Sequence, residues 1–262
     1  MTEPQKIPVL SLKGGTGKTT TCISIARALR DRGQKVGLLD VDIHASSLPR
    51  AIGLEQPPGY EALLGGKLQP VTHDGFQLFS IGLLFKEDTP NMWEGEAKSS
   101  AVKQIATTAI DWDDLDWVLV DTPPTSGSEV QSLLANLQNI YGAVIICQPN
   151  DLAVLGITKT LNVLRETETP ISGIVANMVG YQCPKCGYIS NPFDRSAADV
   201  VDLAKRFKVR FLGSVPFGQE KQREAAIQEI VSGILDHKPV LLKKEKGGAV
   251  KWLLGKVLTG VM

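Results

Sequence analysis

The sequence predicts an α/β protein with a mostly parallel sheet covered by helices on both faces. Short, almost wholly apolar runs recur along the 262 residues, and segments with helical spacing of apolar residues lie between them. Apolar runs of this kind are typical of strands buried on both faces, and strands that alternate with helices are typical of parallel sheets. Several runs also end in aspartate or asparagine, at the sheet edge where α/β proteins bind ligands.

Composition favours one large domain. The chain is 43% hydrophobic and 21% charged, which suits a substantial core. Its 28 basic and 28 acidic residues give a formal charge of zero, which argues against a nucleic-acid-binding surface. No apolar stretch approaches the ~18 residues of a membrane span. The first six residues are polar and do not resemble a secretory signal, so we expect a cytoplasmic protein.

The first motif is a glycine-rich segment at residues 13–20 (KGGTGKTT), between an apolar run at 7–10 and a predicted helix at 21–32. A strand, a glycine turn and a helix N-terminus aim backbone N–H groups and a helix dipole at one point, which suits nucleotide phosphates. Lys18 can reach the β and γ oxygens and Thr19 can ligate Mg²⁺. The predicted nucleotide-binding residues here are Gly14, Gly15, Thr16, Gly17, Lys18, Thr19 and Thr20.

This loop departs from the ordinary Walker A pattern, because Leu12 stands where the first glycine would fall and a second lysine, Lys13, opens the loop. The form resembles the deviant P-loop of the MinD, ParA and nitrogenase iron protein group, whose extra lysine contacts nucleotide across a homodimer. The resemblance implies a P-loop NTPase three-layer sandwich, an ATP-dependent homodimer and catalytic roles for Lys13 and Lys18.

Two carboxylates, Asp40 and Asp42, end the apolar run at residues 35–42. A strand that continued through both would point them to opposite faces, so we expect them to have different roles. By resemblance to the deviant P-loop group, Asp42 lies near the γ-phosphate, is a ligand of Mg²⁺ and positions the attacking water. For Asp40, a strand-end cap, an ion-pair partner and a direct role remain alternatives.

A third aspartate, Asp121, ends the apolar run in residues 115–124 (LDWVLVDTPP) and is followed by a Pro-Pro stop. A carboxylate at a strand end opposite a phosphate loop is the Walker B arrangement, which holds Mg²⁺. We therefore predict that Asp121 is a magnesium ligand.

Further apolar runs predict strands over residues 76–81, 142–149, 171–178 and 211–217. By resemblance to related P-loop proteins, Asn177 hydrogen-bonds the adenine, and Pro216 and Phe217 wall the base. Cys22 and Cys147 lie within apolar patterns and are expected in the core.

The remaining cysteines form a Cys-Pro-Lys-Cys-Gly motif at residues 183–187. In such a knuckle both thiolates turn towards one metal and backbone N–H groups face them. Zinc and [4Fe–4S] clusters usually take four ligands and the sequence offers no second pair, so a twofold homodimer would complete the set. A redox disulfide is the alternative, but the thioredoxin-like setting, early in a βαβ unit, is missing.

Together these motifs resemble the Mrp/ApbC family of P-loop ATPases. The segments that carry the resemblance are residues 13–20, 37–43, 115–124, 176–178, 183–187 and 211–216, within a span of 6–235. It implies weak ATP hydrolysis and a [4Fe–4S] cluster that is bridged by Cys183 and Cys186 of two copies and passed to recipient apoproteins. One departure follows the Pro-Pro stop, where the family usually has Gly-Thr and an acidic residue and this chain has Thr125-Ser126-Gly127.

The C-terminal residues 247–262 predict an amphipathic helix after a single ATPase domain at 1–246, which holds the knuckle near 183–186 as an insertion. This helix either packs on the core or a partner, or lies on a membrane surface as a peripheral anchor. The leading hypothesis is thus an ATP-regulated iron–sulfur carrier. The alternative is a MinD/ParA-like positioning ATPase with a structural zinc and a membrane-binding tail, and the bound metal distinguishes the two.

Overall fold

The computed structural model describes residues 3–42, 46–54, 68–84, 110–112, 114–125, 128–150, 153–191, 193, 196–218 and 220–244. The predicted helix over residues 247–262 lies outside these ranges. Among the helices within them, none is long and apolar enough to cross a membrane.

One twisted sheet forms the centre of the described part of the chain. Its strands are β1 (Gln5–Leu10), β2 (Val36–Asp40), β3 (Val71–His73), β4 (Phe76–Ser80), β5 (Trp117–Asp121), β6 (Ala143–Cys147), β7 (Ile171–Gln182), β8 (Ile189–Ser190) and β9 (Phe211–Phe217). Their order is β3-β4-β2-β5-β1-β6-β7, and β9 adds to the free edge of β7. All pairs are parallel except β3 with β4 and β8 with β7, so the predicted mostly parallel sheet is confirmed.

Helices cover both faces of this sheet and complete the three-layer α/β sandwich. They are α1 (Lys18–Arg30), α2 (Leu48–Ala51), α3 (Ser128–Asn136), α4 (Ala153–Glu166), α5 (Ala197–Arg206) and α6 (Glu220–Leu235). Side chains of α1 and α6 share one buried cluster with the sheet, and side chains of α3, α4 and α5 share the cluster on the other face. A short 3₁₀ turn, Ile81–Leu84, follows β4.

The central strands are buried on both faces, as their apolar runs predict. Every residue of β2, β5 and β6 is buried, including the terminal aspartates Asp40 and Asp121. In the parallel register Asp40 lies beside Asp121, and Val9 of β1 lies on the other side of Asp121. The chain therefore brings both carboxylates to the edge from which β1 leads into the glycine-rich loop.

Three of the boundaries that differ from the sequence-based expectation bear on the site. Strand β2 ends at Asp40, so Asp42 lies beyond the strand and the alternation argument for the two side chains does not apply. Helix α1 begins at Lys18, three residues earlier than predicted, because Gly17 in the left-handed conformation ends the loop there. Strand β7 continues past residue 178 to Gln182, which places the cysteine motif directly at its end.

Candidate functional site: a nucleotide cleft and a cysteine hairpin

The glycine-rich loop wraps one end of a cleft at the carboxyl edge of the sheet. Gly17 has φ 79° and precedes α1, whose first turn closes with the Thr21 amide donating to the Gly17 carbonyl at 2.9 Å. A cavity of about 270 Å³ is lined by residues 13–20 together with Asp42, Ser47 and Pro124. The structure thus brings the predicted phosphate-binding residues and Asp42 to one cavity, at the positive end of the α1 dipole.

Lys18 and Thr19 both bind the carboxylate of Asp121. The Lys18 ammonium lies 2.5 Å from Asp121 Oδ1, and the Thr19 hydroxyl donates to Asp121 Oδ2 at 2.6 Å. Burial raises the pKa of Asp121, while the charge of Lys18 and the two hydrogen bonds act in the opposite direction. Two oxygen groups suited to Mg²⁺ therefore meet at the phosphate cavity, and their chemistry fits that ion.

Asp40 organises the segment that follows β2. Its carboxylate accepts hydrogen bonds from the Asp42 amide at 3.0 Å, the Ser46 hydroxyl at 2.6 Å and the Ser80 hydroxyl at 3.0 Å. Burial, and secondarily the charge of Asp121, raises the pKa of Asp40 to about 7. Among the alternatives, this geometry supports the strand-end cap, since one N–H and two O–H groups of the described residues donate to the carboxylate.

A second cavity, of about 290 Å³, continues from the phosphate end along α1. Asn177, Pro216 and Phe217 line it together with Gly17 and Thr20, so the three predicted base-site residues do converge. Asn177 is 6% exposed, and its Nδ2 donates to the carbonyl of Thr16 at 2.7 Å. This bond ties the phosphate loop to the end of β7. The contact with adenine stays a prediction.

Several loop contacts escaped the sequence analysis. Gln148, the residue after β6, donates from Nε2 to the Gly15 carbonyl at 3.1 Å. Thr125, at the point where the chain departs from the family pattern, donates to the Ser11 carbonyl from its amide at 2.8 Å and from its hydroxyl at 3.2 Å. The available signal for Gln148 was its position at a strand's carboxyl end, and for Thr125 it was the departure from the family pattern after the Pro-Pro stop.

The cysteine motif forms the turn of a β-hairpin between β7 and β8. The Cys183 amide donates to the Tyr188 carbonyl at 2.8 Å, and the Gly187 amide returns to the Cys183 carbonyl at 2.9 Å. Backbone N–H groups of Cys186 and Lys185 hydrogen-bond the Cys183 sulfur and lower the pKa of its thiol. This is the geometry of a metal-binding knuckle. A hairpin turn is also unlike the helix start that a thioredoxin-like redox pair would use.

Exposure separates the four cysteines into two pairs, and the predicted core positions of Cys22 and Cys147 are confirmed. Cys183 is half-buried and Cys186 is exposed, whereas Cys22 and Cys147 lie in the core. Burial raises the pKa of Cys22 well above its usual value and that of Cys147 to about 12, so these thiols are inert. Within the ranges that the structure describes, no three His, Cys, Asp or Glu side chains gather to hold a metal. One chain thus presents two thiols.

The fold and the nucleotide cleft define a P-loop NTPase, which carries in addition a hairpin with one half-buried and one exposed cysteine. The chain matches the ParA family model described as NUBPL iron-transfer P-loop NTPase over residues 3–240. It belongs to this family, and the resemblance inferred from its motifs is confirmed.

Curated relatives carry names from iron–sulfur biology. An iron-sulfur cluster carrier protein of Methanocaldococcus jannaschii is 38% identical over 236 residues, which are 89% of this chain and 79% of the relative. The cytosolic Fe-S cluster assembly factor CFD1 of Yarrowia lipolytica is 33% identical, over 87% of this chain and 84% of the relative. The iron-sulfur cluster transfer protein NUBPL of Mus musculus is 36% identical, over 80% of this chain and 65% of the relative.

Solved structures confirm the fold. A nucleotide-binding protein from Archaeoglobus fulgidus, in complex with ADP, superimposes with a TM-score of 0.69 and 27% identity, over 90% of this chain and 93% of that one. The MinC:MinD cell division complex of Aquifex aeolicus gives 0.60 at 19% identity, over 92% of this chain and 98% of that one, a likeness of fold alone.

Proposed function

We propose that the chain is an ATP-dependent iron–sulfur cluster carrier, in which two copies hold one [4Fe–4S] cluster between their Cys183 and Cys186 thiols. The observation that carries the proposal is the hairpin itself. Its sulfurs are accessible, and backbone N–H groups face the Cys183 sulfur as they do in metal-binding knuckles. The cluster is cargo, and recipient apoproteins are the partners to which it is delivered.

The requirement for two copies follows from ligand number. A [4Fe–4S] cluster takes four thiolates, and each chain supplies two at the hairpin. A twofold axis close to the hairpin brings two identical pairs together, as an isologous interface requires. Exposed apolar side chains beside the thiols, Tyr188 at 70% and Ile189 at 67%, give such an interface surface to bury.

In the nucleotide cleft, each predicted residue has a task that its position supports. Thr19 and Asp121 would hold Mg²⁺, which neutralises phosphate charge when bound. Lys18 can turn from Asp121 to the phosphate oxygens, and Asp42 orients the attacking water from the same cavity. Lys13 lies exposed at the rim, a position from which its ammonium serves the nucleotide of a second copy. Hydrolysis is expected to be slow.

The base cavity favours adenine. One N–H of the Asn177 amide is committed to the Thr16 carbonyl, and the amide oxygen is an acceptor suited to the amino group of adenine. Pro216 and Phe217 form the apolar wall of the same cavity.

A cytoplasmic location is part of the proposal. Accessible thiols such as those of Cys183 and Cys186 stay reduced in that compartment, and the name of the CFD1 relative includes the word cytosolic.

Anaerobic reconstitution with iron and sulfide tests the proposal. We expect a brown protein with visible absorbance and about four irons per dimer, lost in Cys183→Ser and in Cys186→Ser. Cys147→Ala is the matched control, because it removes a buried thiol and should retain the iron. A colourless dimer that holds about one zinc ion would refute the carrier function and favour a structural metal in a positioning ATPase.

A further inference from the structure

Strand β7 runs from the nucleotide cleft to the cysteine hairpin. Asn177 lines the base cavity, and the same strand ends at Gln182, the residue before the first cysteine. The two functional regions are therefore separated by a few residues of one continuous segment. Any displacement of this segment moves the thiols relative to the bound base.

The pairing of β7 with β9 is interrupted within that segment. Asn177 pairs with Val215, and the next pair is Tyr181 with Phe217, so the register shifts between them. Met178 and Gly180 have φ angles of 61° and 66°, in the left-handed region. Interruptions of this type bend a strand and loosen its ladder. Beyond the interruption, the hairpin is paired with β9 through Tyr181 and Phe217.

The side chains of this last pair are also in contact. The ring centroids of Tyr181 and Phe217 are 6.1 Å apart and the rings are tilted by 57°. Phe217 lines the base cavity and is 47% exposed. Tyr181 is absent from the cavity lining, and on its other edge it pairs with Ser190 of β8, within the hairpin. One ring thus lines the base cavity and the other belongs to the hairpin.

We propose that Phe217 and Tyr181 are positioning residues that transmit occupancy of the base cavity to the Cys183/Cys186 hairpin. A bound base covers the exposed ring of Phe217 and restricts its motion. The packed ring of Tyr181 is then restricted as well. The hairpin, which begins beyond the interruption, is thereby held against β9. The inference rests on the proposed function in one respect, that nucleotide occupies this cavity.

Thiol reactivity measures this coupling without iron. A chromogenic disulfide reagent reports the reaction rate of the two accessible thiols, since Cys22 and Cys147 are buried. We expect Mg-ADP to slow the reaction of the native chain by about fivefold, a typical strength for coupled sites. Inorganic tripolyphosphate, which fits the phosphate cavity but has no base, should leave the rate unchanged.

Variants of Tyr181 test whether the coupling between the base cavity and the hairpin depends on its ring. Tyr181→Ala should bind Mg-ADP with unchanged affinity, because its side chain does not line the cavity, and should lose the effect of Mg-ADP on thiol rate. Tyr181→Phe keeps the ring and should restore the effect. Tyr188→Ala is the matched control: this hairpin tyrosine is 70% exposed and makes no ring contact with Phe217 in the described structure. Whatever its basal thiol rate, this variant should keep the native ratio of the rates with and without Mg-ADP.

Two results would overturn the coupling alone: a native thiol rate that bound Mg-ADP leaves unchanged or raises, and a Tyr181→Ala variant that keeps the full effect. Absence of Mg-ADP binding in calorimetry would contradict the nucleotide site and the coupling together. A failure to assemble a cluster would contradict the carrier function and leave the thiol measurement valid.

Discussion

The ammonium of Lys18 lies 2.5 Å from a carboxylate oxygen of Asp121, and both side chains are almost fully buried. The other oxygen of the same carboxylate binds the Thr19 hydroxyl. Asp121 therefore holds Lys18, for which we propose phosphate binding, and Thr19, for which we propose magnesium binding, in position from the end of a neighbouring strand. A buried pair of this kind makes the stability of the chain and its function depend on the same contact.

Asp121→Asn should destabilise the chain as well as abolish Mg²⁺-dependent hydrolysis. The substitution leaves the buried Lys18 ammonium without a charged partner, which costs about 3 kcal/mol of unfolding free energy. Urea unfolding and a phosphate-release assay measure the two effects. Asp114→Asn removes a carboxylate that pairs with Lys35 at the exposed surface and should change neither. Equal stability of Asp121→Asn and the native chain would contradict this interpretation.

Two glycines of the loop should respond differently to alanine. Gly17 has a left-handed φ, and an added Cβ would lie 2.3 Å from Nδ2 of Asn177. Gly17→Ala should therefore lower the unfolding free energy by about 2 kcal/mol or more. An added Cβ at Gly14 would meet no atom within 4 Å, so Gly14→Ala should have the same urea midpoint as the native chain. The same midpoint for both variants would show that the Asn177 contact does not restrict the loop.

Mixing two inactive variants tests whether Lys13 acts across a homodimer. Lys13→Ala and Lys18→Ala should each lose ATP hydrolysis as homodimers. In a hybrid dimer, the Lys13→Ala chain keeps its own Lys18 and receives Lys13 from the Lys18→Ala chain. One of the two sites of the dimer is therefore complete. Random mixing should restore about a quarter of native activity. If Lys13 serves its own chain, no site is complete and activity stays absent.

The buried carboxyl of Asp40 predicts a pH dependence of stability. Its folded pKa of about 7 lies above the ordinary value of 3.8, so the folded state holds this proton more tightly than the unfolded state does. The resulting stability is fully present below about pH 4 and is lost as the pH rises through 7. Asp40→Asn removes this titration. The unfolding free energy of the variant minus that of the native chain should be a few kcal/mol larger at pH 8 than at pH 5.

Urea unfolding of both proteins at the two pH values measures this difference. A difference that does not change with pH would show that Asp40 keeps an ordinary pKa in the folded chain.

Local patterns were sufficient to predict the main elements of the site. The loop at residues 13–20 follows β1, which is buried except at Gln5, and Asp121 ends the fully buried β5. The residue types at both places restrict the chemistry. The cysteine motif was likewise recognisable, because its spacing defines a knuckle whatever surrounds it. Parallel pairing then brings the strand ends together, so the fold follows from the same signals.

Contacts between distant segments could not be predicted in this way. Asp40 accepts a hydrogen bond from Ser80, which is 40 residues away and carries no motif. The predicted strand ended with its apolar run at residue 178, whereas β7 continues to Gln182 through left-handed residues at Met178 and Gly180. The contact between Tyr181 and Phe217 depends on that extension, so it became visible only with the structure.

The central claim is that two copies of the chain share one cluster, and native mass spectrometry under anaerobic conditions measures this directly. The reconstituted protein should give a dimer that carries the mass of a single [4Fe–4S] unit, with no cluster on the monomer. Cys183→Ser should abolish the added mass. A monomer that carries its own cluster, or a dimer that carries only zinc, would contradict the account.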